Sequence, residues 1–183
     1  MTATAFEHLL LTEEDLDDSF FGEEPSAAYD PVFLSGDEQG RTLIDIINAL
    51  SRGSHPATKN HAAALFTSGA GLVVFHNVTE FEDGTGAQVY EQFRTALRDC
   101  WEYRMELNDG AQFDVRKLEL EEEDDVTFAR WLTTADPYRI EGCWAISLKG
   151  DVLSFVNVRN PDRLEIRRLA KTALNRIASA ANP

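Results

Sequence analysis

The alternation of apolar and polar residues is most regular near the C-terminus. The segments WAISLK and VLSFVNV alternate on either side of Gly150 and Asp151, which predicts a β-hairpin closed by a two-residue turn. This register places four apolar side chains on one face of the hairpin: Ile146, Leu148, Leu153 and Phe155. The opposite face carries Cys143 and other small or β-branched residues, against which a helix can approach closely.

Two further strands and a second hairpin are predicted. Residues 71–81 (GLVVFHNVTEF) and 126–132 (VTFARWL) are rich in β-branched and aromatic residues. Alternation around the turn at 108–110 predicts another hairpin. Its parity slips between Val115 and Leu118, which predicts a β-bulge.

The N-terminal part has weaker signals. Residues 12–21 predict a short amphipathic helix with Thr12 as its N-cap, and residues 22–40 have the composition of a loop. Apolar residues at helical spacing over 43–50 predict a helix, and the polar segment 54–61 predicts a mobile loop.

Two more helices follow in the C-terminal part. Thr85 and Gln88 match a capping box that opens a helix, and Cys100 shares the buried face of its last turn. The closing helix is predicted to begin at Pro161, with Asn160 as its N-cap.

Together these elements predict an α+β protein with a central antiparallel β-sheet, helices packed on one face and a helix at each end of the chain. A length of 183 residues favours one domain over 1–183. Within it, residues 1–70 form a helical and loop part, and residues 71–178 form the sheet and its helices.

The net charge of −15 changes the expected partners. A surface this acidic repels phosphate backbones and anionic lipids, so we expect no nucleic-acid binding. No apolar run is long enough to span a bilayer, and the first residues lack the basic region of a signal peptide. If the protein is exported, its signal or membrane tether is expected to lie outside the residues shown.

Motifs that carry chemistry are missing or weak. The chain has no nucleophile elbow, P-loop, zinc-protease or dinucleotide-binding motif, so we predict no catalytic residues, cofactor or metal. His55 and His61 are interpreted as loop residues. The acidic segment 121–125 could attract calcium, but it lacks the ligand spacing of an EF-hand, and a solvated charge run is expected.

The second half of the chain resembles a known family. The order VVFHNVTEF, VYEQFRTALRDCW, DDVTFARW and GCWAISLKGDVLSFVNV, closed by an amphipathic helix, is similar to the extracytoplasmic sensor domain of PknH-type mycobacterial receptor kinases. It also resembles the related actinobacterial sensor-domain lipoproteins, and the opening FEHLLLTEEDL looks like their first helix. The resemblance covers mainly residues 71–178.

This resemblance implies an exported, non-enzymatic domain with a cleft and a disulfide between Cys100 and Cys143. Trp101 and Trp144 would then shield the two sulfur atoms from solvent. The alternative is two buried free thiols, which are common in cytosolic proteins and would move the protein towards the cytoplasm.

The leading functional hypothesis is an extracytoplasmic ligand-binding or sensory domain of the bacterial cell envelope, with an unknown small molecule or protein as its ligand. Since helices on one face leave the other face of the apolar hairpin open, we expect the cleft there. Its candidate residues are Trp131, Ile146, Leu148, Leu153 and Phe155. The alternatives are an acidic interaction or scaffold domain and a small enzyme with an unrecognised site.

Overall fold

The computed structural model describes residues 6–16, 19–23, 31–107, 109–123, 125–160 and 166–180. The strands are β1 (Phe20–Glu23), β2 (Val32–Gly36), β3 (Thr58–Ser68), β4 (Val73–Phe81), β5 (Glu102–Glu106), β6 (Gln112–Glu123), β7 (Val126–Ala135), β8 (Tyr138–Lys149) and β9 (Val152–Arg159). The α-helices are α1 (Glu38–Arg52), α2 (Thr85–Asp99) and α3 (Ile166–Ala180), and short 3-10 turns occur at Glu7–Leu9 and Glu13–Asp15.

The nine strands of the described residues form a single antiparallel sheet in the order β1-β3-β4-β9-β8-β7-β6-β5-β2. Long strands that alternate in sequence occupy its centre, and the four- and five-residue strands β1 and β2 form its edges. Short edge strands limit the unpaired backbone that a sheet offers to other chains. The predicted α+β class, with an antiparallel sheet and helical elements near both ends, is confirmed.

The helices cover both faces of the sheet rather than the one face that we predicted. Helices α1 and α2 share a core with Leu153 and Phe155, whereas α3 packs against Val156 and Val158 from the same strand. Because β9 and its neighbours are apolar on both faces, each face needs its own cover. We call the two sides the α1/α2 face and the α3 face.

Two register predictions in the second half are confirmed. Lys149 pairs with Val152 across the two-residue turn, so that Ile146 lies opposite Phe155 as the alternation required. The register between β6 and β7 shifts between Lys117 and Glu119, which is the predicted bulge.

Several predictions for the first 70 residues are wrong. The helix over 12–21 is only the turn Glu13–Asp15, followed by strand β1 at Phe20. The loop over 22–40 contains β2 and the first residues of α1. The polar segment 54–61 runs into β3, which pairs with β4 along nearly its whole length.

Two of the three predicted helix caps, those of the second and the last helix, are not found as predicted. Helix α2 begins at Thr85 itself, and its first turn is capped from elsewhere in the sequence. The Asp151 carboxylate accepts hydrogen bonds from the N–H groups of Gly84 (3.0 Å) and Gly86 (2.9 Å). The predicted start of the last helix at Pro161 lies outside the described residues, and Asn160 has a φ of 59° and bonds to the Gly71 carbonyl.

The predicted disulfide is wrong, because the sheet separates the two cysteines. Cys100 is buried in the core beneath α1 and α2, whereas Cys143 belongs to the α3 face of β8. The helix that approaches the small residues around Cys143 is α3, not α2, which ends one residue before Cys100. The shielding role expected for the tryptophans fails too: Trp101 is 64% exposed, and Trp144 faces away from Cys143.

In the part of the chain that the structure describes, no helix has both the length and the hydrophobicity to cross a membrane.

Candidate functional site: a cavity between helix α1 and the sheet

A cavity of about 440 Å³ lies between helix α1 and the sheet. Helix α1 contributes Ile44, Ile47 and Ser51, which lie on one side of the helix at spacings of three and four residues. At its other end α1 is in close contact with β5, since a Cβ added at Gly40 would lie 2.7 Å from the Tyr103 Cβ. The helix therefore packs tightly at its N-terminus and roofs the cavity towards its C-terminus.

Aromatic rings form the inner wall of the cavity. The Trp131 and Trp144 rings lie 4.8 Å apart, Tyr103 stacks edge-on against Trp131 at 6.0 Å, and Phe155 lies 5.9 Å from Trp144. We call these four residues the aromatic cluster. Burial raises the pKa of the Tyr103 phenol, so this side chain is uncharged at neutral pH. The wall thus offers neutral, flat and rigid surfaces to a bound molecule.

Three residues paired across the neighbouring strands β9, β8 and β7 place polar groups beside this wall. Arg159 of β9 pairs with Gly142 of β8, and Gly142 pairs with Trp131 of β7. All three line the cavity. Because Gly142 has no side chain, and a Cβ there would meet only the Val158 carbonyl oxygen at 3.5 Å, space remains between the arginine and the indole.

The polar lining is sparse and unevenly charged. The indole Nε1 of Trp131 is buried and has no hydrogen-bond partner among the residues that the structure describes. Asn157 lies two residues before Arg159 on the same face of β9. Among the described residues that line the cavity, the charged side chains are Arg52 and Arg159, and none is acidic.

The structure brings together only some of the predicted cleft residues. Trp131 and Phe155 line the cavity. Ile146 and Leu153 are fully buried beneath α2, where Phe93 contacts the Phe155 ring at 5.7 Å. Leu148 lies beside a separate polar crevice at the far end of the hairpin.

The acidic segment 121–125 is used for ion pairs. Glu121 and Glu123 bind Arg167 of α3, and Glu122 binds Arg94 of α2. Each of these glutamates uses one carboxylate oxygen in its ion pair, so the arginines compete with a calcium ion for this segment. Within the described residues, no group of three or more histidine, cysteine, aspartate or glutamate side chains is placed to hold a metal ion.

Sequence reasoning missed Gly142, Arg159, Asn157 and Arg52. Gly142 did carry a usable signal, since an isolated glycine in a strand marks a bulge or a place where space is left for another group. The two arginines had no such signal, because α1 and β9 meet only in the folded chain.

The arrangement defines a class: a single large antiparallel sheet with helices on both faces and an apolar cavity beneath one helix. Comparison with solved structures finds the same fold in the extracellular domain of PknH from Mycobacterium tuberculosis. The TM-score is 0.69 at 10% sequence identity, and the match covers 95% of this chain and 93% of that one. No family model and no curated protein matches the sequence. The likeness therefore shows a PknH-like fold.

Proposed function

We propose that this protein is a ligand-binding sensory domain that holds an apolar small molecule in the cavity beneath helix α1. The observation that carries the proposal is the cavity itself. Its volume of about 440 Å³ falls within the range of about 300–1,000 Å³ typical of small-molecule sites. Its wall combines the aromatic cluster with a few polar groups, which is the usual composition of such sites.

The lining favours binding over catalysis. General acid–base chemistry needs a side chain that exchanges a proton near neutral pH, such as histidine or a carboxyl group with a raised pKa. None of the described lining residues is a histidine, cysteine, aspartate or glutamate. Burial keeps the Tyr103 phenol protonated and arginine side chains stay charged at neutral pH, so the described part of the lining can position a molecule but offers it no base.

The proposed location is the cell envelope, outside the cytoplasm. The support is the fold, which this chain shares with a domain whose description is extracellular. The cysteines give no support, because both thiols are free, as in many cytosolic proteins. Fractionation of cells that express the native gene, with a cytoplasmic and an envelope marker, tests this part: recovery with the cytoplasmic marker would overturn it.

The binding proposal is tested with N-phenyl-1-naphthylamine, a neutral apolar dye that fluoresces when it leaves water. We expect saturable binding at one site per chain. Gly142→Phe would fill the space between Arg159 and Trp131 and should abolish binding, whereas Gly142→Ala adds only a methyl group that fits and should retain it.

Circular dichroism and thermal unfolding of both variants show whether the fold is intact. If the dye binds to Gly142→Phe as it does to the unchanged protein, or does not bind at all, the cavity is not a ligand site and the proposal fails.

A further inference from the structure

We infer that the ligand of this cavity is an uncharged amphiphile, with an apolar body against the aromatic cluster and one amide or hydroxyl group bound by the Asn157 side chain. This inference rests on the proposed function and specifies the chemistry of the same site. It follows from three features of the lining, which are the position of Asn157, the hydrogen-bonding capacity of its amide and the state of the charged side chains around it.

Asn157 places a polar side chain within the apolar wall. It pairs with Phe75 of β4 on one side and with Trp144 of β8 on the other. Residues 153–156 and 158 of the same strand are buried, whereas Asn157 is half-buried. Because β9 has a strand on each side and Asn157 lines the cavity, its accessible surface opens into the cavity. A ligand can therefore contact this amide.

The Asn157 amide can bind a polar group from two sides. Among the residues that the structure describes, its side chain has no hydrogen-bond partner. An amide carries an NH₂ donor and a carbonyl acceptor in one plane. A ligand amide satisfies the donor and the acceptor together, and a hydroxyl group can satisfy either. A carboxylate supplies only acceptors and an ammonium group only donors, so that each would leave half of the Asn157 amide without a partner.

The charged side chains of the described lining are already engaged. They are Arg52 and Arg159, and each has an interaction within the protein. The hydroxyl and amide side chains of the described lining are uncharged at neutral pH, namely Ser51, Tyr103, Thr133 and Asn157. Transfer of an ionised group from water to an apolar site is costly unless the site supplies a charged partner. The lining therefore favours a neutral ligand.

The aromatic rings set the direction of the apolar body. Trp144 lies beside Asn157 on the next strand, the Trp131 ring lies 4.8 Å from that of Trp144, and the Tyr103 ring lies 6.0 Å from that of Trp131. The three rings thus lead away from Asn157 across the sheet towards β5. An amphiphile with its polar group at Asn157 would lay its apolar body along these rings.

The test compares ligands that share one apolar chain. Bound N-phenyl-1-naphthylamine is displaced with octanamide, octanol, octanoate and octylamine at neutral pH, where the last two are ionised, each below its solubility and micelle limits. We expect octanamide to displace the dye at concentrations about tenfold lower than either ion, since a tenfold difference corresponds to about one net hydrogen bond. Octanol should lie between octanamide and the ions.

Variants assign the preference to Asn157. Asn157→Leu keeps the size of the side chain but removes its donor and its acceptor. Octanol should then displace the dye at lower concentration than octanamide, because an amide without a partner is costlier to take out of water than a hydroxyl group. Unchanged affinity for the dye shows that the cavity is intact. Asn175→Leu is the matched control, since it makes the same change at an exposed position of α3, and it should leave the order of the ligands unaltered.

Each result decides the inference. If octanoate or octylamine displaces the dye at concentrations as low as octanamide does, the ligand class is wrong. The role of Asn157 is wrong if octanamide stays ahead of octanol in Asn157→Leu, or if Asn175→Leu changes the order as much. The proposed function survives these outcomes, because saturable binding of the dye and its loss in Gly142→Phe report on the cavity alone.

Discussion

The backbone N–H of Leu11 donates a 2.9 Å hydrogen bond to Nδ1 of His76, which lies 65 residues away in the middle of β4. The other ring nitrogen, Nε2, lies 2.9 Å from the Ser154 hydroxyl. Because Nδ1 accepts a hydrogen bond, the imidazole must be neutral with its proton on Nε2. One fully buried histidine therefore fastens the N-terminal segment to the α3 face of the sheet.

This arrangement predicts a loss of stability in acid. Burial, reinforced by the charge of Arg176 and opposed by that of Asp15, lowers the pKa of His76 to about 3 from 6.5. Between these values the unfolded chain binds a proton that the folded chain excludes, so the free energy of unfolding falls as the pH drops from about 6.5 towards 3. Each pH unit should cost up to about 1.4 kcal/mol from this group.

The contribution of His76 is measured by urea unfolding across this pH range. The unchanged protein is compared with His76→Asn, which lacks the titrating ring. The curve of the variant should be flatter, and replacing the exposed His8 with asparagine should leave the slope unaltered. Parallel curves for the unchanged protein and His76→Asn would mean that His76 does not exclude the proton.

Both cysteines should behave as inert free thiols. Burial raises the pKa of Cys100 to about 12 and that of Cys143 to about 11, so little reactive thiolate exists at pH 8 in the folded protein. We expect iodoacetamide to label neither residue in the native state and both in denaturant without reductant, as measured by mass spectrometry. A melting temperature that falls on addition of a reductant would contradict the separation of the two residues by the sheet.

Lys117 should be a stabilising residue despite its charge. It is 6% exposed, and its Nζ donates hydrogen bonds to the carbonyls of Leu97 (2.7 Å) and Arg98 (2.6 Å) at the end of α2. It also lies 4.4 Å from the centre of the Trp101 ring. Lys117→Met keeps the length of the side chain but leaves both carbonyls without this donor, and we expect a loss of about 2 kcal/mol in urea unfolding. The exposed Lys171→Met is the control and should have almost no effect; equal losses would refute a specific role.

The cap of α2 by Asp151 gives a further prediction. Asp151→Ala removes the acceptor of the Gly84 and Gly86 N–H groups and should destabilise the protein by about 1 kcal/mol. Asp45→Ala, on the exposed side of α1, is the comparison and should leave the melting temperature within error. If Asp151→Ala and Asp45→Ala have the same melting temperature, the cap does not contribute to stability.

The sequence predicted the second half of the fold well because its strands are long and alternate strongly. The hairpin of β8 and β9 and the bulge in β6 both follow from the parity of apolar residues. Strand β3 was not predicted because it begins with the polar residues Thr58, Lys59 and Asn60 and fills its buried positions partly with alanine, a residue with little preference for strands. Strands β1 and β2 are too short for alternation to identify them.

The cavity was predictable only in part, for a related reason. Trp131 and Phe155 could be identified as bulky residues on one face of neighbouring strands. Ile146 and Leu153 share that face, but α2 covers them, and nothing in the local pattern of β8 and β9 tells where a helix from another part of the chain will lie. Whether an apolar side chain of this face is packed in the core or lines the cavity depends on where the helices lie. Their position is set by contacts between distant parts of the chain.

The position of α3 has a consequence for how this domain can be attached to anything else. Arg176 of α3 donates to the Leu10 carbonyl and pairs with Asp15, so the first and last described elements lie side by side on the α3 face. The cavity opens on the α1/α2 face. A linker, lipid anchor or neighbouring domain joined next to residue 6 or residue 180 would therefore meet the back of the sheet, and the cavity would be presented outward, away from the point of attachment.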